Sequence, residues 1–368
     1  MLKTVTIDAR WLVGGIGTYT RNLLQQLHDQ VHGFAVQAIV RKRDSGNVRN
    51  FCSDLTVIDT PIYTLREQLL IARASRRCDL LHVPHYNAPL LHRGPLLVSI
   101  MDVIHLSSPA YRDKLSTIFY ARPMLNAVAR KADHIVTVSD YSKSEIVKTL
   151  GIPECKITVI PCGVGEEFTI KPAPRETPHL DAILGIASPF LLYVGNLKPH
   201  KNVTTLVRAF AAIHKRNKLS HTLVIVGDDA RWKQPVVDEC ARLGVLEFIK
   251  FLPHVPQSLL PDIYAAASLV VMPSTLEGFG LPVLEAMACG TPVVASTAAS
   301  LPEVAGDAAL YFDPASPEEL ATQMERILEC GELRASLRRK GIQQAQKFSW
   351  RQSARQHIEL YNRLLGLN

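Results

Sequence analysis

Two glutamates, Glu277 and Glu285, lie in a stretch whose residue types could hold a nucleotide, VVMPSTLEGFGLPVLEAMACGTPVVAS at 270–296. An apolar run, a glycine-rich loop, a helical segment and a second apolar run follow one another, which predicts a strand–loop–helix–strand unit. Free amides at a helix start bind phosphate, and a carboxylate accepts hydrogen bonds from the adjacent hydroxyls of a sugar. The stretch therefore predicts a nucleotide site. The amides expected at the helix start are those of Gly280, Leu281 and Val283.

Two lysines, Lys198 and Lys201, occur in the segment GNLKPHKN, which follows another strand-like run and precedes a helix. Lysine supplies a point charge for phosphate oxygens. The alternative is that both are ordinary exposed lysines, but cations are slightly unfavourable at a helix start. This mismatch favours a functional role, above all for Lys201.

A glycine loop, GGIG at Gly14–Gly17, follows the first strand and precedes a helix. Thr20 replaces the third glycine of G-x-G-x-x-G, and no acid stands at the distance expected for a ribose, which disfavours a dinucleotide site. Two interpretations remain open: a flexible lip that approaches a ligand in a facing domain, which is favoured, and a plain tight turn.

The histidines do not form a metal-binding pattern. His82 and His85 are the closest pair, with no acidic or histidine companion at ligand spacing, and no Asp-x-Asp occurs in the sequence. We expect no metal, so lysines and a helix start must neutralise any phosphate. His105, three residues after Asp102 at the end of a strand-like run, is the better candidate for a ligand cleft.

The composition indicates an ordinary globular protein of 368 residues, 47% apolar, with a formal net charge of +7. Seven cysteines without a CxxC pair favour reduced thiols and argue against disulfides or a zinc site. No secretory signal or membrane-spanning run is recognised, which predicts a cytoplasmic protein. The basic balance fits an anionic membrane, a phosphorylated ligand or nucleic acid, and a merely solvated basic surface remains equally open.

Strand-like and helical segments alternate along the chain, which predicts an α/β fold with two Rossmann-like domains of similar size. The boundaries predicted are an N-terminal domain at 1–170, a linker at 171–188 and a C-terminal domain at 189–349. Because ligands bind at the carboxyl ends of parallel strands, two such domains would face each other across an interdomain cleft. Helices are predicted at 18–27, 64–77, 117–132, 142–150, 203–216, 232–243 and 259–266.

Taken together, the motifs resemble the family 4 retaining glycosyltransferases of the GT-B fold, and the resemblance covers nearly the whole chain. Its specific part is E-x7-E at Glu277 and Glu285, supported by GIGTYTRNLL, VGNLKPHKN and LPEVAGDAALYFDP. The closing FSWRQSARQHIELY is similar to the family's last helix. The resemblance implies that this helix, at 350–368, crosses back onto the N-terminal domain, which would bind the acceptor.

The resemblance also implies roles for individual residues. Glu285 would hold the ribose hydroxyls, Glu277 the hydroxyls of the transferred sugar, and Lys201 the diphosphate. Many members have an arginine where this chain has Asn196, so Lys198 would compensate. The remaining donor-binding residues implied are Gly15, Gly17, Gly195, Gly227, Phe279, Gly280, Leu281 and Val283.

One departure from the family pattern concerns the end of the fourth long strand. Members commonly carry His-Asp there, with the histidine near the reacting face of the sugar, whereas this chain has Met101-Asp102. Either His105 or Asp102 takes over, or the role is dispensable.

The activity implied is sugar transfer with retained anomeric configuration, by front-face attack rather than through a covalent intermediate, without metal or other cofactor. The donor expected is GDP-mannose, with UDP-sugars or GDP-rhamnose as alternatives. The acceptor expected is a lipid-linked glycan of surface polysaccharide or lipopolysaccharide synthesis. A second hypothesis is a non-catalytic sugar-nucleotide-binding subunit. The segment Thr64–Arg77, with leucines beside recurring arginines, fits a helix that touches an anionic membrane or, equally, one that covers its own sheet.

Overall fold

We describe the protein from a computed structural model. The residues described are 2–112, 114–115, 117–169, 178–186, 188–217, 220–227 and 229–367. The chain divides into two compact units. The first comprises Met1–Gly163 and Ser349–Asn368, and the second comprises Val164–Phe348.

The first unit is built on a seven-stranded parallel sheet in the order β3-β2-β1-β4-β5-β6-β7. The strands are β1 Lys3–Asp8, β2 Phe34–Val40, β3 Asp54–Val57, β4 Leu80–Val83, β5 Leu96–Ser99, β6 His134–Thr137 and β7 Ile157–Val159. The chain moves outward from β1 to β3 and then returns to place β4 on the other side of β1. The gap between the carboxyl ends of β1 and β4 is therefore a topological switch point, where ligands of such sheets bind.

The helices of the first unit confirm most of the helical periodicity read from the sequence. They are α1 Gly14–His28, α2 Ser45–Val48, α3 Leu65–Ala74, α4 Ile104–Ser107, α5 Pro109–Arg112, α6 Arg122–Lys131, α7 Asp140–Leu150 and, from the end of the chain, α16 Trp350–Leu365. The helix predicted at 117–132 is regular only from Arg122, after a π-helical turn at Thr117–Ala121. The edge strand β3 was not predicted because its side chains are mostly exposed and lack an apolar pattern.

The glycine loop is part of a helix, contrary to the expectation that the helix begins at Thr18. Helix α1 begins at Gly14, after Val13 in extended conformation, and the Gly17 amide donates to the Val13 carbonyl. The helix buries Leu23, Leu24 and Leu27 on one face. Burial of that face fixes the helix, and the low helix propensity of glycine does not stop its first turn from forming.

Helix α16 is tied to the first sheet by buried hydrogen bonds. His357 Nδ1 lies 2.8 Å from the Ser353 carbonyl oxygen, which can only accept, so Nδ1 carries the proton and Nε2 accepts from Tyr19 Oη at 2.6 Å. Because His357 Nε2 accepts from Tyr19, the donor and the acceptor of each further hydrogen bond in the network are also determined. The other members of the network are Ser99, His82 and Tyr361. Burial lowers the pKa of His357 to about 4, so the ring stays neutral at physiological pH.

The second unit contains a six-stranded parallel sheet in the order β10-β9-β8-β11-β12-β13. The strands are β8 Phe190–Val194, β9 Thr222–Val226, β10 Ile249–Leu252, β11 Leu269–Met272, β12 Val293–Ser296 and β13 Ala309–Phe312. The order reverses between β8 and β11, which makes their carboxyl ends the switch point of this sheet. The predicted α/β fold with two parallel-sheet, Rossmann-like domains is confirmed.

The helices of the second unit cover both faces of its sheet. They are α8 Pro178–Leu184, α9 Val203–Asn217, α10 Ala230–Leu243, α11 Leu260–Ala266, α12 Leu281–Ala288, α13 Leu301–Ala305, α14 Pro317–Glu329 and α15 Gly331–Ala345. The segment predicted as a linker, 171–188, contains α8, whose Leu180 is fully buried in the core of this unit. Leu180 and Leu184, one helical turn apart, were the signal for that helix. The part of the predicted linker at 171–177 lies outside the described residues.

Candidate nucleotide and sugar site

The switch point of the second sheet brings together two residues that are 76 positions apart in the sequence. Lys201 follows β8 and Glu277 follows β11, and Lys201 Nζ lies 2.5 Å from Glu277 Oε1. Ser274 Oγ donates to the same carboxylate oxygen at 3.2 Å. Both charged side chains are largely buried, with 14% and 9% of their surface exposed. The pair places a positive charge beside a hydrogen-bond acceptor at the carboxyl ends of β8 and β11, where ligands of such sheets bind.

The segment that carries Lys201 is anchored by Asn202, a residue for which no role was predicted from the sequence. Asn202 adopts a left-handed backbone conformation with φ 55°, which asparagine tolerates better than most residues. Its Nδ2 donates to the carbonyls of Pro273 at 3.0 Å and Pro314 at 2.8 Å, while its Oδ1 accepts from Thr205. Asn202 thereby connects the lysine segment with the end of β11.

The glycine-rich loop after β11 is shaped by Ser300 and Gly280. The Ser300 hydroxyl lies 3.1 Å from the Glu277 carbonyl oxygen and 3.0 Å from that of Phe279. Gly280 has φ 104°, and a Cβ there would lie 2.8 Å from a methyl group of Leu301. The backbone conformation therefore favours glycine, and a larger residue would also require the Leu301 side chain to move. Ser300 was also missed, since a serine before an apolar helix has no distinctive spacing.

The start of α12 differs in one respect from the expectation. The Val283 amide donates to the Gly280 carbonyl at 2.9 Å, so it is not free to bind phosphate. The structure therefore corrects the assignment of Val283 as an amide donor, because the tight turn at Gly280 uses this group internally. Leu281 is the first residue of the helix, where an amide has no carbonyl one turn earlier in the helix.

Glu285 lies one turn into α12, and Tyr264 Oη donates to its Oε2 at 2.7 Å. Burial raises the pKa of Glu285 to about 7; the Tyr264 hydrogen bond opposes this shift and the nearby Glu167 carboxylate adds to it. Some part of the residue remains exposed, since Glu285 as a whole is half-buried. Tyr264 belongs to α11, where its spacing is that of an ordinary core residue, so its contact with Glu285 was not predicted from the sequence.

Gly195 and Gly227 end the neighbouring strands β8 and β9 and approach each other closely. Their φ angles are 154° and 135°, and a Cβ on Gly227 would lie 2.0 Å from the Gly195 carbonyl oxygen. The side-chain Oδ1 of Asn196 accepts a hydrogen bond of 3.2 Å from the Lys198 amide, which stabilises the turn. Gly195, Asn196 and Gly227 therefore have structural roles at the strand ends, in addition to any ligand contacts.

The other predicted site residues belong to the first unit. A Cβ on Gly17 would lie 2.2 Å from the backbone of Leu12, whereas the corresponding position at Gly15 is open. Asp102 Oδ1 accepts a hydrogen bond of 3.0 Å from the amide of Ile104, the first residue of the short helix α4. His105 is exposed. The structure thus gives Gly17 and Asp102 local structural roles and leaves Gly15 and His105 accessible.

In the residues that the structure describes, no group of three or more His, Cys, Asp or Glu side chains is placed to hold a metal ion. Among those same residues, none of the helices is both long and apolar enough to cross a bilayer.

Two family models match the chain, Glycosyltransferase Family 4 over residues 13–168 and Glycosyl transferases group 1 over residues 181–344. The chain is also 32% identical over 289 residues to the O-antigen chain mannosyltransferase B of Escherichia coli, an alignment that spans 77% of this chain and 74% of that protein. The chain belongs to the family 4 glycosyltransferases.

This glycosyltransferase is similar to other relatives as well. It is 32% identical over 232 residues to the D-inositol 3-phosphate glycosyltransferase of Acidothermus cellulolyticus, which spans 61% of this chain and about half, 51%, of that relative. Among solved structures, Anabaena HepE in complex with UDP and glucose superimposes with a TM-score of 0.80 at 21% identity, covering 98% and 99% of the two chains. Sucrose-phosphate synthase from Thermosynechococcus elongatus gives 0.79 at 22% identity over both full chains. The structural likenesses establish the GT-B fold.

Proposed function

We propose that this glycosyltransferase moves mannose from GDP-mannose, with retained anomeric configuration, to a lipid-linked glycan or oligosaccharide in surface-polysaccharide synthesis. The observation that carries the proposal is the ion pair between Lys201 and Glu277 at the switch point of the second sheet. Glu285 lies in α12, the helix that follows Glu277 in the sequence. The choice of mannose is supported by the similarity to an O-antigen chain mannosyltransferase. We propose that the reaction takes place in the cytoplasm.

In this proposal each group of the site has one task. Glu285 accepts hydrogen bonds from the ribose hydroxyls, and Glu277 does the same for the transferred sugar. Lys201 and the Leu281 amide stabilise the diphosphate, with no metal ion required. Gly280 lets the backbone come close to that diphosphate.

Transfer proceeds by attack of the acceptor hydroxyl on the same face from which the diphosphate leaves. The bond between the anomeric carbon and the diphosphate oxygen breaks, the bond to the acceptor oxygen forms, and the departing diphosphate takes the acceptor proton. Both glutamates are engaged with hydroxyls in this scheme, so neither acts as a nucleophile. The step gains most from groups that stabilise the negative charge developing on the diphosphate.

Donor choice is tested by thermal shift with GDP-, UDP-, ADP- and TDP-sugars. A ligand that binds only the folded state raises the melting temperature by mass action, and we expect the largest rise with GDP-mannose. Glu285→Gln serves as the control because it should reduce the rise for every nucleotide. A rise confined to UDP-sugars would disprove the GDP-mannose assignment.

Catalysis itself is tested by incubating the protein with GDP-mannose without acceptor. Slow release of free mannose is expected from a working transferase and is absent from a non-catalytic sugar-nucleotide-binding subunit. Tight donor binding with no mannose release, and no transfer to any mannosylated acceptor, would contradict the enzyme assignment.

Membrane association is proposed for the exposed side of α3. Leu65 and Leu69 lie one turn apart and are 86% and 59% exposed, while Ile71 of the same helix is buried. Exposed arginines border them at positions 66, 73, 76 and 77. Leucines beside arginines on an exposed helix face suit a bilayer surface with anionic lipids.

Vesicle co-sedimentation tests this surface. The protein should bind vesicles that contain phosphatidylglycerol and not those of phosphatidylcholine alone, and Leu65→Asp with Leu69→Asp should abolish binding. Val31→Asp, at an exposed apolar position outside α3, is the matched control and should leave binding intact. Equal binding by the parent and the double variant would refute the membrane role of α3.

A further inference from the structure

The ion pair at the switch point of the second sheet joins two groups that the proposed reaction uses separately. Lys201 Nζ lies 2.5 Å from Glu277 Oε1. In the proposed complex, Lys201 holds the diphosphate and Glu277 holds hydroxyls of the transferred sugar. The cation that the diphosphate requires therefore has an anionic partner within the chain itself.

Glu277 has few hydrogen-bond donors besides this lysine. Among the described residues, its Oε1 accepts from Lys201 Nζ and Ser274 Oγ, and its Oε2 accepts from none. The nearby Tyr193 supplies no donor, because its hydroxyl donates to the Asn196 carbonyl at 2.6 Å. Burial first, and the Glu277 charge second, raise the pKa of Tyr193 well above its usual value, so this hydroxyl keeps its proton at neutral pH. In the part of the chain that the structure describes, Lys201 alone balances the charge of Glu277.

Both charges of the pair are largely shielded from solvent, since only 14% of the Lys201 side chain and 9% of the Glu277 side chain are exposed. Water and salt therefore screen this site weakly, and a charge there acts strongly on a phosphate placed beside it. Lys201 Nζ has three N–H donors and uses one for Glu277, so two remain for phosphate oxygens. A diphosphate bound by these two donors would also lie next to the Glu277 carboxylate.

The presence of a sugar on the nucleotide determines how this carboxylate acts. A sugar donor presents hydroxyls that donate to Glu277 and offset its negative charge. The nucleoside diphosphate that remains after transfer presents no such hydroxyl. It also gains a negative charge at neutral pH, because its terminal phosphate titrates at about pH 6. Glu277 then repels the terminal phosphate and competes with it for Lys201.

We propose that Glu277 discriminates between the sugar-bearing donor and the nucleoside diphosphate product, and that it thereby promotes product release. This inference rests on the proposed transferase function and adds regulation of the same site: the ion pair with Lys201 is the competitor that regains the lysine when the sugar leaves. Because Lys201 exchanges one anionic partner for another when the donor binds, its net contribution to donor affinity is small. Its contribution to the more highly charged transition state is larger.

Glu277→Gln tests the inference by calorimetry at pH 8, because it removes the charge and retains the size of the side chain. We expect opposite effects on the two ligands. GDP should bind roughly 3- to 10-fold tighter, because a repelling charge is lost. GDP-mannose should bind roughly threefold weaker, because an amide accepts hydrogen bonds from the sugar less strongly than a carboxylate does.

The tighter binding of GDP should appear as slower dissociation in stopped-flow measurements, since affinity differences among variants of one site lie mostly in koff. Glu247→Gln is the matched control. This residue is exposed between α10 and β10 of the same unit, so the variant loses the same charge away from the site. It should leave the affinity for both ligands unchanged.

Two simpler roles for Glu277 give different results in the same experiment. A carboxylate that only binds sugar hydroxyls would leave the affinity for GDP unchanged in Glu277→Gln. A carboxylate that only orients Lys201 would, when replaced, weaken the binding of both ligands. Either result would overturn the inference.

A second comparison removes the effect of folding, because Glu277→Gln leaves Lys201 buried without its anionic partner, which costs stability. The double variant Lys201→Met with Glu277→Gln removes both buried charges and is measured beside Lys201→Met alone. Lys201→Met should lose most of its GDP binding, since GDP then meets the unpaired Glu277 carboxylate. The double variant should bind GDP roughly 3- to 10-fold tighter than Lys201→Met. Equal GDP binding by these two variants would refute the competition.

Failure of this inference is distinguishable from failure of the proposed function. The inference concerns the change in GDP affinity relative to GDP-mannose affinity, whereas the proposed function requires that the parent binds GDP-mannose and releases or transfers mannose. If the parent bound UDP-glucose in place of GDP-mannose, the GDP-mannose assignment would be wrong, and UDP with UDP-glucose would test the inference in the same way. A parent protein that bound no nucleotide sugar would contradict both.

Discussion

Lys201→Ala is expected to lower kcat by roughly 100- to 1,000-fold while weakening GDP-mannose binding much less. Negative charge grows on the diphosphate as its bond to the sugar breaks, and a fixed cation contributes most at that stage. The ion pair with Glu277 holds the lysine in place before the reaction. The measurement is kcat from steady-state kinetics together with Kd for GDP-mannose from calorimetry.

Loss of the lysine also leaves Glu277 buried without its partner, which costs stability. Lys201→Met is therefore measured beside Lys201→Ala, because methionine retains the apolar stem and reduces the packing defect. Lys215→Ala, at an exposed position near the end of α9, is the matched control for loss of one positive charge. If both Lys201 variants folded and retained the parent kcat, the assigned role of Lys201 would be wrong.

Affinity for GDP-mannose should depend on pH through Glu285. Because the pKa of this carboxyl is about 7, protonation below pH 7 removes the charged acceptor that the ribose hydroxyls need. We expect the affinity to fall with each pH unit below 7 and to level off above pH 8. GDP-mannose is the appropriate probe because the terminal phosphate of GDP itself titrates near pH 6.

Two variants assign the pH dependence to this carboxyl. Glu285→Gln should weaken GDP-mannose binding roughly 10- to 100-fold at pH 8 and abolish the pH dependence. Tyr264→Phe removes a hydrogen bond that lowers the pKa of Glu285, so the midpoint should move upward. A parent affinity that is flat between pH 6 and pH 8 would contradict the proposed ribose contact.

The same pKa shift has a consequence for stability. The folded pKa of Glu285 lies above the unfolded value, so between about pH 4.5 and 7 the folded protein binds more protons than the unfolded chain. The contribution of this residue to stability therefore declines as pH rises through that window. Glu285→Gln should accordingly raise the melting temperature of the ligand-free protein at pH 8, which distinguishes loss of a ligand contact from damage to the fold.

Local sequence patterns predicted the elements of the fold well. Apolar runs of four to seven residues and helical periodicity depend on neighbouring residues, so they can be read one segment at a time. The elements that were not predicted also have local causes. The first turn of α1 was not predicted because glycines at Gly14–Gly17 have low helix propensity, and β3 was not predicted because its exposed side chains show little apolar pattern. The short α8 was hidden in a segment rich in proline and charge.

The candidate site was predicted less completely because its supporting contacts are distant in sequence. Lys201, Glu277 and Glu285 could be selected by residue type and spacing. Tyr264, which donates to Glu285, could not, because a tyrosine in a predicted core helix gives no sign of which carboxylate its hydroxyl will meet. Asn202 was missed for the same reason.

The sequence by itself determined the two domains, the position of the E-x7-E stretch at a strand end and the residue types available for a nucleotide. Only the tertiary structure decided that Lys201 contacts Glu277 and that the Val283 amide donates within a turn. The physical reason is strand order. Local patterns specify strands, but which strands become neighbours, and hence which loops meet at a switch point, depends on packing of the whole sheet.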